Sequence, residues 1–374
     1  MKIAILGTRG IPNHYGGFEQ FAEYLSVGLV QRGHEVIVYN SHSHPYQRKT
    51  FHGVTIKHIY DPEKYIGTAG QFMYDLLCIL DTRKNDYQIV LQLGYTSSSI
   101  FFSLHPSKSV LVTNMDGLEW KRTKYSVKVQ KFLQWAENLA VAKSDFLISD
   151  SIGIQKYLKE KYAKDSVYIP YGSDVITEYD PVICDEFDVR EYDYDMLIAR
   201  LEPENSIEII LEGVAKAKQE RPFLVIGKHD TSYGKFLKSK FAYRKKIRFI
   251  GALYDKAKLD SLRCFSNLYF HGHTVGGTNP SLLEAMGSSA LVCAHNNEFN
   301  YAILGQDALY FKKSDDVTYY LETVTKAEYI AFIENNNTKI KELYGWETII
   351  DQYETLFLDS LSKVKMTAST TTQL

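Results

Sequence analysis

The residues best suited to chemistry lie in the stretch 271–291, HGHTVGGTNPSLLEAMGSSAL. A glycine turn at Gly276 and Gly277 leads into Thr278, Asn279 and Pro280, and the recurrence of Leu282, Leu283, Ala285 and Met286 predicts a helix. Either Thr278 or Asn279 can cap it, Pro280 stands where a missing N–H costs nothing, and Ser281 and the turn amides are left at the positive helix end. Such an end favours an anion. Glu284 lies one turn further on, and His273 stands just before the glycines. Two cations can join them. Arg200 follows a short apolar run and can grip a diphosphate with its planar fork, and Lys228 follows another. In the first half, Asp116 ends an apolar run, Tyr95 follows a second, and Glu19 stands just after Gly16 and Gly17. Glu19 is either a favourable acidic group at a helix start or a hydroxyl acceptor for a substrate.

The elements that must hold these residues are legible as strand, turn and helix units. Apolar runs at 2–6, 36–39, 54–59, 88–93, 109–113, 145–149 and 167–170 read as strands of a first domain; 196–199, 223–226, 247–250, 267–270, 290–294 and 308–311 read as strands of a second. The alternation implies parallel sheets with helical crossovers, an α/β architecture. A helix over 67–80 is expected to bury Phe72, Met73, Leu76, Leu77 and Leu80 on one face. The organisation expected is a first domain over 1–172, a second over 173–345, a helix over 346–360 and a mobile tail over 361–374. In doubly wound domains ligands bind beyond the carboxyl ends of the strands, and two such rows are expected to face an interdomain cleft.

Composition narrows the classes. A chain of 374 residues with formal net charge -2 has no global basic field, so no nucleic-acid partner is expected. Its 4 cysteines stand singly, which suits reduced buried thiols. The histidines at 42 and 44 have no carboxylate or cysteine at a ligand spacing, so no metal is expected. The start MKIAILG passes straight into a strand with no leader-like pattern, and no apolar run is long enough to span a bilayer. Residues 120–137 are expected to form one helix combining Lys121, Arg122, Lys124, Lys128 and Lys131 with Trp120 and Trp135. Such a helix suits an anionic membrane surface, or else is a solvated face with its tryptophans turned inward. From the residues alone, dehydrogenase, kinase-like and sugar-transfer readings survive. The absence of a G-x-x-x-x-G-K-S/T run removes only the P-loop NTPases.

Four motifs go further: GTRGIPNHYGGFE at 7–19, MDGLEWKR at 115–122, ARLEPEN at 199–205 and HGHTVGGTNPSLLEAMG at 271–287. With them the chain resembles the retaining GT-B glycosyltransferases, two Rossmann-like doubly wound domains, over nearly its whole length. Within that family it is most similar to bacterial cell-surface polysaccharide rhamnosyltransferases. The resemblance implies a second domain that binds a nucleotide sugar and a first that receives the acceptor, with no cofactor and no metal. It implies donor contacts from Gly16, Gly17, Arg200, Lys228, Gly277, Thr278, Asn279 and Glu284, the last toward the ribose. With the first domain as acceptor side, the strand-end residues Glu19, Tyr95 and Asp116 are expected acceptor contacts, and Asp116 and His273 are expected to orient hydroxyls or handle the leaving proton beside the charge of Arg200. The family's lysine falls on Asn205 and its first acidic residue on Gly276, so two charges are replaced. The donor implied is dTDP-rhamnose, and the acceptor a saccharide on polyprenyl diphosphate. The implied location is cytoplasmic, at the inner face of the plasma membrane, with Lys121, Arg122, Lys124, Lys128 and Trp135 as membrane contacts.

Overall fold

The computed structural model describes residues 1–371 apart from 123, 124, 275 and 276, with side chains described through Lys363. The chain forms two compact units: residues 1–171 with 346–374, and residues 172–345.

Unit 1 is built on an eight-stranded sheet with order β3-β4-β2-β1-β5-β6-β7-β8. The strands are β1 Lys2–Leu6, β2 Glu35–Ser41, β3 Thr50–Phe51, β4 Val54–Ile59, β5 Ile89–Leu93, β6 Val110–Asn114, β7 Phe146–Ser149 and β8 Val167–Tyr168. All pairs are parallel except β3 with β4. The central strands are continuous apolar runs because helices cover both faces of the sheet. The strand order reverses between β1 and β5, so the loops leaving those two strands diverge and open a crevice at their carboxyl ends. At Gly7, where φ is +89°, an added Cβ would lie 2.0 Å from the Leu93 carbonyl oxygen, so only glycine lets the two loops approach this closely.

The helices of unit 1 include α1 Gly17–Gln31, α2 Glu63–Ile66, α3 Ala69–Thr82 and α4 Val127–Lys143. In α3 the buried apolar side chains are Tyr74, Cys78 and Ile79, packed on the sheet. Met73 and Leu80 are exposed, and Phe72, Leu76 and Leu77 only half-buried. The expected face is therefore the outward one. Both stripes recur at helical spacing, and periodicity alone does not say which meets the sheet. The single helix expected over 120–137 is also corrected. A short 3-10 turn, Glu119–Lys121, precedes α4, so Trp120, Lys121 and Arg122 are not on it.

Unit 2 carries a six-stranded, all-parallel sheet with order β11-β10-β9-β12-β13-β14. Its strands are β9 Asp195–Ile198, β10 Phe223–Ile226, β11 Ile247–Gly251, β12 Leu268–His271, β13 Val292–His295 and β14 Leu309–Phe311. Here the reversal falls between β9 and β12. The organising motif of the sequence thus leaves one switch-point strand and the Arg200 loop leaves the other.

The closing helix, Trp346–Thr371, belongs to unit 1. It runs beyond residue 360, where apolar spacing stops and a mobile tail is expected from sequence. It packs on α1: Trp346 stacks on Tyr24 with centroids 4.5 Å apart, and an added Cβ at Gly28 would meet Ile350 Cδ1 at 2.3 Å. Arg32 holds Glu347 at 3.0 Å and Glu354 at 2.9 Å.

Candidate functional site

In unit 2 the loops after β9 and β12 leave neighbouring strands and are sewn together. Thr274 donates its amide and its hydroxyl to the Glu204 carbonyl oxygen, at 3.0 and 2.7 Å. An added Cβ at Gly272 would lie 2.0 Å from the Asn205 carbonyl oxygen, which is why glycine stands between His271 and His273. The backbone at Arg200 is pinned from two directions, because its carbonyl accepts the Asn205 side-chain amide at 2.7 Å and the Glu202 amide at 2.8 Å. The guanidinium end is left exposed. Asn205, at the position where the resemblance expects a lysine, is buried and presents no charge to solvent. Gly276 and Val275 lie outside the described residues.

The helix Pro280–Gly287 is capped by Asn279, whose Oδ1 accepts the Ser281 amide at 3.0 Å, with Pro280 in its first turn. This decides between the two candidate caps and corrects the expectation for Ser281. Its amide is taken by the cap, and its hydroxyl pairs with the Tyr269 hydroxyl at 2.9 Å. The Leu282 and Leu283 amides go to the Asn279 carbonyl. An anion here would be met by the helix dipole and the turn at 277–279 rather than by first-turn amides. Thr278 is buried in that turn and Gly277 half-buried.

Glu284 is not a solitary carboxylate. Its Oε2 accepts from Arg263 at 2.7 Å; Arg263, 1% exposed, also reaches Asp260 at 3.0 Å. Burial opposes the guanidinium charge, but Glu284 and Asp260 outweigh it and the net shift of its pKa is upward. Arg263 is absent from the sequence reading. Its only trace there is the i, i+3 spacing to Asp260 on the helix Lys256–Phe265. His273 stacks on His271 with centroids 4.4 Å apart, and burial, then His273 and Arg263, keep His271 neutral. The His273 carbonyl accepts from Asn297 and Asn300, which fixes the start of the motif. Lys228, after β10, is exposed and stands 3.6 Å from Asp230.

In unit 1 the switch-point loops bring other predicted residues into view and remove two. Gly16 caps α1 in extended backbone, and the Gly17 carbonyl accepts from the Tyr171 hydroxyl at 2.8 Å. Glu19 is buried and its Oε1 accepts the Arg9 amide at 2.8 Å, so it braces the glycine loop instead of meeting an acceptor. Tyr95 is 1% exposed and its hydroxyl points to the buried Glu137 at 3.3 Å. It cannot face a substrate, and burial followed by the Glu137 charge raises its pKa. Glu137 is a hub that also accepts from Trp120, Tyr157, Tyr162 and Lys161. Asp116 is half-exposed in left-handed backbone, φ +53°. Its amide donates to Asn114 Oδ1 at 3.0 Å, and Asn114 in turn donates to the Tyr353 hydroxyl of the closing helix at 3.0 Å. A non-glycine residue held in this region is a form of strain that clusters at functional sites.

Of the membrane candidates, Arg122 is paired with Glu119 at 2.7 Å, and Trp120 is tied to Glu137. Lys121, Lys128 and Trp135 are exposed, Trp135 at 50%. Lys124 lies outside the described residues. No helix among the described residues is long and apolar enough to cross a membrane.

Comparison with solved structures gives the architecture its class. Sucrose-phosphate synthase from Thermosynechococcus elongatus is similar at TM-score 0.78 and 15% identity, covering 97% of this chain and 99% of its own. HepE from Anabaena, solved with UDP and glucose, is similar at TM-score 0.72 and 16% identity over 95% and 99%. The chain has the GT-B fold. The trehalose 6-phosphate synthase of Burkholderia multivorans shares this GT-B architecture at TM-score 0.69 and 13% identity, over 99% of this chain and 98% of its own. Residues 1–174 match a family described as "Domain of unknown function (DUF1972)", a match that covers unit 1 apart from its closing helix. No curated protein sequence matches the chain.

Proposed function

We propose that the protein is a retaining, metal-independent glycosyltransferase that moves a 6-deoxyhexose, L-rhamnose from dTDP-rhamnose, to a saccharide on a polyprenyl diphosphate. The observation that carries the reading is the unit 2 switch point. There an exposed arginine on a pinned backbone and an Asn-capped helix end leave adjacent strands, a combination suited to a diphosphate. HepE, of the same fold, was solved with UDP and glucose. Arg200 and the turn 277–279 hold the donor diphosphate in this reading, and Lys228 adds a second exposed cation. Glu284, oriented by Arg263, accepts from the ribose. A preorganised set of donors aimed at the departing phosphate lowers the barrier as an oxyanion hole does. The incoming hydroxyl approaches on the same face of the sugar, so no protein nucleophile is required. Asp116 and His273 orient sugar hydroxyls. The acceptor belongs to unit 1.

The 6-deoxy assignment is supported by the resemblance and by Asn205, which replaces a cation with a buried amide. A sugar lacking one hydroxyl needs fewer polar partners. For a lipid-linked acceptor the protein must reach the cytoplasmic membrane surface. Support comes from the outward face of unit 1, where Phe132 lies 5.8 Å from both Phe72 and Trp135, and exposed Lys121, Lys128 and Lys131 lie on or just before α4. Aromatic and basic groups together suit an anionic interface. A panel of dTDP-rhamnose, UDP-glucose, UDP-GlcNAc and GDP-mannose against lipid-linked acceptor mimics tests the reading. Transfer from dTDP-rhamnose is expected; transfer from a UDP- or GDP-sugar alone removes the donor assignment, and nucleotide-sugar binding without turnover on any acceptor removes the catalytic one.

A further inference from the structure

Unit 2 carries a charged surface that the donor site does not use. Residues 228–248 hold 8 lysines and arginines against a single acidic residue, Asp230, in a chain whose formal net charge is -2. They cover the loop after β10, the helix Ser232–Lys240 and the turn into β11, the edge strand of the six-stranded sheet. Part of this charge is neutralised within the unit. Lys240 sits between Glu208 at 2.6 Å and Glu212 at 2.7 Å, Lys228 faces Asp230 at 3.6 Å, and Arg248 faces Asp188 at 3.6 Å. Lys246 is buried beside Glu220 at 4.0 Å, and its ammonium donates to the Ala217 and Gln219 carbonyls. The other four differ. Lys235, Lys238 and Lys245 are exposed, and with the half-buried Arg244 they have no carboxylate within ion-pair distance among the described residues. Four like charges on one crossover repel one another at low salt, and an anionic surface relieves that repulsion.

Aromatic side chains are interleaved with these cations and face outward. The helix buries Gly234 and Leu237, and helical geometry turns Phe236 away from both. Phe236 is 46% exposed, with the Tyr233 ring stacked on it at 5.8 Å. Tyr243, in the turn, is 68% exposed, and the Arg244 guanidinium lies 5.4 Å from its ring centre. Water solvates the ammonium groups well and the phenyl ring poorly. A soluble polyanion would pair with the cations and leave the rings wet. The interface of an anionic bilayer meets both needs, because phosphates take the cations while the rings enter the acyl boundary. Lysine stems can lie at the level of the rings and still place their ammonium groups among the phosphates.

We propose that the crossover 232–245 of unit 2 is a docking surface for an anionic lipid bilayer, with Lys235, Lys238, Arg244 and Lys245 pairing with headgroup phosphates and Phe236 and Tyr243 entering the interface. This surface lies on a different unit from the α3–α4 surface and does not depend on the donor or acceptor assignment. The four native cysteines are buried, so Ser239→Cys, exposed and one turn from Phe236, takes an environment-sensitive fluorophore selectively. With the full chain on phosphatidylcholine vesicles containing phosphatidylglycerol, the fluorophore is expected to shift to the blue and to be quenched by spin-labelled lipid. On phosphatidylcholine alone it should not respond. Changing Lys235, Lys238 and Lys245 together to Gln should weaken vesicle binding roughly 100-fold at low salt. Phe236→Ser should weaken it roughly tenfold while leaving affinity for heparin, a soluble polyanion with no apolar phase, unchanged. A silent fluorophore on vesicles that the protein binds would confine docking to unit 1 and overturn the proposal. Vesicle affinity equal to wild type in Phe236→Ser would also overturn it, marking a polyanion surface instead. A response at position 239 without transfer from any donor would remove the glycosyltransferase reading and leave this surface standing; transfer to a lipid-linked acceptor with a silent fluorophore would do the reverse.

Discussion

Arg200 and Arg263 illustrate two uses of the same side chain. Arg200 is exposed on a backbone fixed by Asn205, so Arg200→Ala should leave the fold intact. It should weaken nucleoside diphosphate binding by roughly 1.5–3 kcal/mol, the worth of a hydrogen bond to a charged group; unchanged calorimetric affinity would reject the clamp. Arg263 is enclosed between Asp260 and Glu284. Removing it leaves the half-buried Glu284 without its cation and the buried Asp260 with Lys256 and Ser288 alone, and Arg263→Met should cost roughly 2–4 kcal/mol in urea unfolding. A loss below about 1 kcal/mol would mean the network is dispensable. Asp75 offers a pH test. Buried, with Ser97 donating to it at 2.6 Å, its carboxyl is raised to about 7, chiefly by desolvation. An unfolded Asp titrates near ~3.9, so the folded state keeps the proton to higher pH. Its contribution to stability is full below the unfolded value and is lost as pH rises toward 7. Asp75→Asn should flatten that part of the stability curve; a slope equal to wild type would contradict the assignment.

At the scale of elements, the closing helix and the α3–α4 surface carry the next expectations. Gly28 lets α1 approach Ile350, and Gly28→Val should cost roughly 1–3 kcal/mol by overpacking, partly recovered by adding Ile350→Ala. Because that helix also supports Asn114 through Tyr353, Tyr353→Phe should lower transfer more than it lowers donor affinity; equal effects would disconnect the helix from Asp116. On the outward face, changing Lys121, Lys128 and Lys131 to Gln should weaken binding to anionic liposomes roughly 100-fold, at on the order of 1 kcal/mol for each group. Retained binding at physiological salt would make α4 a solvated face. Strands were readable from sequence because buried parallel strands are unbroken apolar runs ending at glycine or polar turns, as in residues 2–7. The face of α3 was not, since Tyr74, Cys78 and Ile79 repeat with the same period as Phe72, Leu76 and Leu80, and only packing separates them.

Across the whole molecule, two doubly wound units in one chain were legible from the sequence of strand and turn. The groups that complete each site were not. Arg200, Asn279 and Glu284 announced themselves by motif, whereas Arg263 depends on a contact across 21 residues and the Arg9–Glu63 pair on one across 54. Tyr95 and Glu19 misled for the opposite reason. Both follow strand-end turns, where ligand contacts are common, yet each is drawn inward by a buried partner, Glu137 or the Arg9 amide. Group transfer with retention leaves its signature in the product, and proton NMR of the isolated glycoside reads it. After incubation of the full chain with dTDP-rhamnose and a short polyprenyl-diphosphate saccharide, the new anomeric centre is predicted to keep the donor's configuration. An inverted anomeric centre, or free rhamnose with no glycoside formed, would contradict it.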